Sequence, residues 1–170
     1  MSSLEIRTSF ILASIYALRM LGMFLILPIF AIYASGLEGN PTSFQIGLAL
    51  GIYGLTQALF QIPFGMSSDY FGRKKVIYFG LLLFVIGAIV AALSSTIEGI
   101  IFGRSIQGAG AISAVLTALL ADLTRDEHRT KAMAIIGGGI GLTFALSLII
   151  SPWLNAWIGV TGIFLLMAVL

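Results

Sequence analysis

Cysteine is absent from these 170 residues, histidine occurs once, and charged residues make up only 9% of the chain. Without cysteine there is no disulfide, no thiolate metal ligand and no thiol nucleophile. The single His128 stands in a charged run, so a histidine metal cluster is excluded as well. No Asp or Glu lies at the middle of the long apolar runs; Asp69, Glu98 and Asp122 all fall near run ends. Acid–base or metal-assisted catalysis therefore lacks its groups, and neither an enzyme nor a cofactor is expected. A net charge of +2 gives no support to a nucleic-acid partner.

What the chain has in abundance is apolar surface. Hydrophobic residues reach 59% and the mean hydropathy is +1.08, against about 45–50% apolar and about 25% charged in ordinary domains. A soluble chain this short could not bury that much. Spanning the hydrocarbon takes roughly 20 apolar residues in a helix. Such runs occupy about 10–33, 43–66, 76–93, 97–120 and 132–152, and a sixth begins near 160 and is cut off at 170. A barrel is excluded because the alternation of strands is missing. The apolar run after Arg7 exceeds the length of a signal-peptide core and is read as a retained first span.

The connectors are short. Gly39, Asn40 and Pro41 make a turn before the second run, and Ser94, Ser95 and Thr96 supply capping hydroxyls before the fourth. Basic residues outside the runs alternate: Arg7, then Arg73, Lys74 and Lys75, then Arg125, Arg129 and Lys131. The first, third and fifth connectors hold no Lys or Arg, only Glu38 and Glu98. Every extramembrane basic residue thus falls on one side, which places that side and the N-terminus in the cytoplasm. Residues 51–59 (GIYGLTQAL) echo 139–146 (GIGLTFAL), each followed by a proline, Pro63 or Pro152. The echo fits two three-helix units in inverted topology, and equally fits chance within a small membrane alphabet.

Two arginines lie inside the runs, Arg19 and Arg104. Arginine at mid-membrane costs about 2.5–3.5 kcal/mol on insertion scales, so each must face a partner, a cavity or water. One reading is a substrate or proton-coupling group; the other is a structural arginine on carbonyls or snorkelling to an interface. Arg104, near the start of its run, has the easier route outward. Tyr53, Gln57 and Gln61 recur at spacings of four and share one helix stripe. That stripe either lines a polar path or glues helices together. Gly108, Gly110, Gly137, Gly138, Gly139 and Gly141 are expected to serve close helix packing.

The segment 65–75 (GMSSDYFGRKK) resembles the signature between the second and third helices of the major facilitator superfamily, G-x-x-x-D-R-x-G-R-K. Tyr70 departs from it, standing where a basic residue is usual. Residues 104–110 (RSIQGAG) are similar to the fourth-helix signature R-x-x-Q-G-x-G, whose arginine is linked to proton transfer. Leu21, Gly22 and Pro28 resemble the first-helix pattern of drug–proton antiporters, and 122–131 the charged connector after the fourth helix. Ser151-Pro152 stands in place of the Gly-Pro that ends the fifth-helix antiporter signature. Residues 19–24 and 51–58 look like the YajR-type proton-driven efflux group in particular.

The resemblance implies an all-α membrane fold, a major facilitator-type six-helix half (a 3+3 inverted repeat) truncated within the sixth helix, with 1–170 as the N-terminal transmembrane bundle. It further implies a secondary transporter in the plasma (inner) membrane, moving small organic solutes by alternating access, with proton-coupled efflux preferred. A uniporter or symporter for an anionic solute, or a non-transporting sensor or scaffold, stays open. Arg19, Tyr53, Gln57, Arg104 and Gln107 are the expected substrate and proton pathway. Gly65, Asp69, Gly72, Arg73, Lys74, Asp122 and Arg129 are the expected conformational latch. The partners implied are the lipid bilayer, a small-molecule substrate, protons and a missing C-terminal half, with no nucleic acid.

Because the chain has no cysteine, its orientation is testable with single introduced thiols. A membrane-impermeant maleimide should label Ser95→Cys in intact cells, and Lys131→Cys only after permeabilisation.

Overall fold

The computed structural model describes residues 3–37 and 39–169, so Glu38 of the first connector lies outside the described residues. The elements are α1 (Ser3–Ser35), α2 (Ser43–Phe71), α3 (Arg73–Leu93), α4 (Ile97–Ala109), α5 (Ser113–Asp122), a short 3-10 turn (Asp126–His128) and α6 (Arg129–Val169). Among the described residues there is no strand. Among those residues, five helical stretches are long and apolar enough to cross a membrane, with α4 and α5 together making one of them.

Local chemistry sets the ends of these helices. Thr42 caps α2 by accepting from the Gln45 amide while the Gln45 side chain accepts from the Thr42 amide. Thr96 caps α4 by accepting from Gly99 N–H. Between α2 and α3 the chain turns on Gly72 at φ 93°, a conformation that side-chain-bearing residues rarely adopt. Gly72 N–H closes α2 on the Ser68 carbonyl.

The helices depart from the expected runs in two places. The fourth run is interrupted: residues 110–112 leave the helix, with Ile112 N–H reaching only to the Gly110 carbonyl. The fifth and sixth runs join, since helix continues through 153–158 and breaks at Gly159 alone, at φ 66° and ψ 177°. The chain reverses there. Ser151 donates to the Leu25 carbonyl, and Met167 fills the space beside Gly22, where a Cβ would meet its Cγ at 2.7 Å. Sixteen residues of straight helix would separate those contacts by about 24 Å, yet they lie three residues apart on α1.

Packing divides into two apolar cores. One gathers Leu25 and Phe30 of α1, Ala88 of α3, Ile100 of α4 and Phe164 of α6. The other gathers Leu12 of α1, Phe64 of α2, Val76 of α3, Leu116 of α5 and Ile136 of α6. The α4–α5 break falls between them. The second core adjoins the end of the bundle that carries Arg73, Lys74, Lys75 and Arg125, called the basic end below. Outward faces stay apolar, as at Ile32, Leu93 and Trp157, which suits contact with lipid.

Small residues let α3 and α4 approach closely. A Cβ on Gly103 would lie 2.6 Å from Ala91 N and 2.8 Å from the Gly87 carbonyl. Lipid-embedded helices associate mainly through such packing rather than through a hydrophobic drive. The expected role of the glycines divides accordingly. Gly108 presses on Thr56 and the Tyr53 carbonyl, and Gly110 on the Gly80 carbonyl, whereas Gly137, Gly138 and Gly141 have nothing within 4 Å and Gly139 only ordinary contacts. Those four do not serve close packing within this bundle.

Gly103→Ala should therefore lower thermal stability in detergent, by about 1–3 kcal/mol for an overpacked contact. Gly138→Ala, with open space and a better helix former, should leave the melting temperature unchanged or raise it.

Candidate functional site

Between the two cores lies a polar layer built around Arg19, which is 3% exposed. The position on α1 points the side chain at the α4–α5 break. Arg19 Nη2 donates to the Gly110 carbonyl at 2.7 Å and Nη1 to Ser113 Oγ at 3.1 Å. Gly110 O lies outside the regular helical ladder, so it has a lone pair free for the guanidinium. Phe84 of α3 offers its ring face 5.8 Å from the Arg19 Cζ. From α2, the Gln57 amide also donates to Ser113 Oγ, at 3.1 Å. Ser113 thus joins α1 to α2, a bridge with no sequence signal because the break that exposes it was not evident.

Arg104 is 1% exposed and points inward rather than snorkelling. Its Nε donates to the Ala49 carbonyl at 2.6 Å, and its Cζ stands 5.3 Å from the centre of the Tyr53 ring. Gln107, one turn along the same face, is 1% exposed and its amide contacts Met167 Sδ at 3.6 Å. Four buried polar atoms here have no partner among the described residues: Arg19 Nε, Tyr53 Oη, Arg104 Nη2 and Gln107 Oε1. Among the described residues neither guanidinium is paired with a carboxylate.

The α2 stripe opens onto a groove of about 520 Å³ shared with α1, lined by Met20, Met23, Tyr53, Gln57 and Gln61 among others. All three residues of the expected stripe meet there. Behind its wall stand the two arginines, Arg104 against Tyr53 and Arg19 one hydroxyl beyond Gln57. The threonines matched in the two echoing segments behave alike, Thr56 donating to Ile52 O and Thr143 to Gly139 O.

At the basic end a second cluster forms. Arg73 reaches Asp69 at 2.5 Å, Asp122 at 3.0 Å and the Ser68 hydroxyl at 2.5 Å, joining α2, α3 and α5. Arg129 pairs with Asp126 at 2.9 Å and donates to the Ala121 carbonyl. Lys74 is exposed, and a Cβ added at Gly65 would meet Ala114 at an ordinary 3.9 Å. Tyr70, the residue that departs from the signature, is 85% exposed and packs edge-on against Phe71. One member escaped the sequence reading: Glu5, buried at the start of α1, accepts from the Arg125 amide and from its Nε and Nη2. By hydrogen bond and by charge, Glu5 holds the Arg125 guanidinium above its ordinary range. Residues 120 positions apart carry no local pattern that would reveal such a pair.

The chain's residues 12–170 match the model of the Major Facilitator Superfamily. The chain belongs to that superfamily. It is 49% identical over 166 residues to the inner membrane transport protein YajR of Escherichia coli (strain K12), covering 98% of this chain and 36% of that protein. An uncharacterized transporter of Buchnera aphidicola subsp. Schizaphis graminum is 46% identical over 169 residues, 99% of this chain and 43% of that one. The class H tetracycline resistance protein of Pasteurella multocida is 30% identical over 151 residues, 88% of this chain and 37% of that one. The chain therefore spans about two fifths of the length of these curated relatives. With its apolar helices, it is a multi-pass integral membrane protein of facilitator fold.

The two clusters should differ in energetic weight. Arg104→Lys removes the Nε bond to Ala49 and the flat guanidinium over Tyr53, and should cost about 1.5–3 kcal/mol, the range for a charged hydrogen bond. Arg73→Lys, at a solvated cluster, should cost under about 1 kcal/mol. Thermal melts of both variants in the same detergent check the order.

Proposed function

We propose that this chain is the N-terminal half of a secondary transporter that exports small organic solutes across the inner membrane by alternating access, coupled to protons. The observation that carries the reading is the polar layer, with Arg19 and Arg104 buried behind a groove lined by Tyr53 and Gln57. A helix bundle with no transport task has little reason to retain two uncompensated cations at mid-depth, given what each costs to insert. Gln107 completes the proposed path beside Arg104. The missing second half would face the groove and close it.

The N-terminus and the basic end are assigned to the cytoplasm. There Asp69, Gly72, Arg73, Lys74, Asp122 and Arg129, with Gly65 one turn back on α2, form the latch that holds one state. The exposed Asp69 carboxylate and the positive-φ turn at Gly72 support that role, since both are presented outward where a second half would dock. The relatives named for transport and for tetracycline resistance support efflux. Proton coupling calls for a titrating group, and the described carboxylates of this chain lie at helix ends and in the connector after α5; the second half would supply any other. A uniporter or symporter for an anionic solute is the competing reading, favoured by the lack of a mid-depth acid.

The test uses everted vesicles holding the full natural chain. With an imposed pH gradient, followed by acridine orange, addition of tetracycline and a panel of other aromatic solutes should release protons. Arg19→Ala should reduce that release at least tenfold while the variant still inserts. Absence of solute-linked proton release for every member of the panel would remove the proton-coupled reading.

A further inference from the structure

The groove between α1 and α2 has a chemical character that narrows its ligand. Its wall is apolar and soft at Met20 and Met23, aromatic at Tyr53 and amidic at Gln57 and Gln61. A volume of about 520 Å³ accommodates a molecule of one or two fused rings. Directly behind it are two permanent positive charges. Arg104 lies 5.3 Å from the Tyr53 ring centre, and Arg19 is linked through Ser113 to Gln57.

Among the described residues, no carboxylate pairs with either arginine. The seven acidic residues are Glu5, Glu38, Asp69, Glu98, Asp122, Asp126 and Glu127, and none lies in the stretches of α1, α2, α4 or α5 that build the polar layer. Arg19 and Arg104 are held by carbonyl and hydroxyl dipoles and by ring faces. Dipoles satisfy hydrogen-bond geometry but leave the net charge in place. In a low-dielectric layer an uncompensated charge acts strongly on whatever enters next to it. Two donors behind the groove's wall, the Tyr53 hydroxyl and Arg104 Nη2, are buried and have no partner among the described residues. Both would be completed by an acceptor oxygen carrying negative charge.

We infer that the solute carried by this groove is an aromatic organic anion, a carboxylate or sulfonate on an apolar ring system, and that organic cations are rejected. This rests on the transport reading, and it selects among the solutes that reading admits. The apolar wall takes the ring while the field of Arg19 and Arg104 draws the anionic group toward Tyr53. A cation of the same shape would meet two like charges, with no acid on the α1, α2, α4 and α5 stretches around them.

The experiment compares three probes of one shape, 1-naphthoate, 1-naphthylmethanol and 1-naphthylmethylammonium. Their binding to the purified full natural chain in detergent is measured by equilibrium dialysis. The anion is expected to bind at least tenfold tighter than the ammonium and severalfold tighter than the alcohol. Arg104→Gln should bring the anion-to-cation ratio below threefold. As that substitution also disturbs a buried contact, Tyr53→Phe provides a second readout that keeps both arginines and the ring: naphthoate affinity should fall severalfold while the alcohol is little affected. Equal binding of all three probes, or preference for the ammonium, overturns the inference. Flux separates it from the transport reading. Uptake of the ammonium into everted vesicles would refute the anion class and leave transport standing. Selective binding of naphthoate with no flux of any probe would do the reverse.

Discussion

The burial of Arg19 between two apolar cores is the constraint around which the bundle is arranged. A guanidinium at mid-depth needs acceptors, and regular helices offer few, since each carbonyl already accepts a ladder bond. The fourth membrane crossing supplies them by breaking. Its Gly110 carbonyl and the Ser113 hydroxyl at the restart of α5 take two of the three nitrogens. The break is tolerated because it is enclosed by protein. Gly80 of α3 lets the Gly110 segment approach, and Ile112 fills the gap beside it. Arginine, helix break and glycine contact form one structural unit.

The second arginine follows the same physics with a different partner set. Arg104 uses the Ala49 carbonyl and the Tyr53 face, both from α2, and so fixes the height of α2 against α4. Gly108 permits that approach by lying against Tyr53 and Thr56. The consequence is an α2 with one face tied inward and the other open along the groove. Polar residues on α2 are therefore neither wholly glue nor wholly path. Gln57 bonds to Ser113 and also lines the groove.

The basic end relies on a different balance. Apart from the pair on buried Glu5, its ion pairs have at least one well-solvated partner, so each is worth little by itself. Arg73 joins α2, α3 and α5, while Glu5 ties the start of α1 to the connector after α5. An end held by several weak contacts can rearrange at low cost, which suits a latch better than a rigid core would.

Much of this was legible in the residues. Membrane character follows from composition, because no soluble fold could hide so much apolar surface. Arg19 and Arg104 declare themselves because charge is so costly at those positions, and Tyr53, Gln57 and Gln61 because a helix repeats nearly every four residues. Other features were not legible. Residues 97–120 read as one uninterrupted run, since Gly110-Ala-Ile is as apolar as its surroundings. The interruption depends on what α1 and α3 present to it. Ser151, in place of the glycine of the antiporter signature, reads as a departure, yet it is buried and donates to the Leu25 carbonyl. Whether Arg104 turns outward or inward, and which glycines touch a neighbour, likewise depend on the facing helix.

By itself, then, the sequence determined where these 170 residues are apolar enough to span, how basic residues alternate between the connectors, and which polar residues must find shelter. Those properties are local sums of transfer free energy along the chain. Only the tertiary structure decided where that shelter is: a broken fourth helix for Arg19, a tyrosine face and a carbonyl of α2 for Arg104, and one groove before them both. Hydrogen-bond partners are set by distances between helices, and those distances arise from packing among residues that are far apart in the chain.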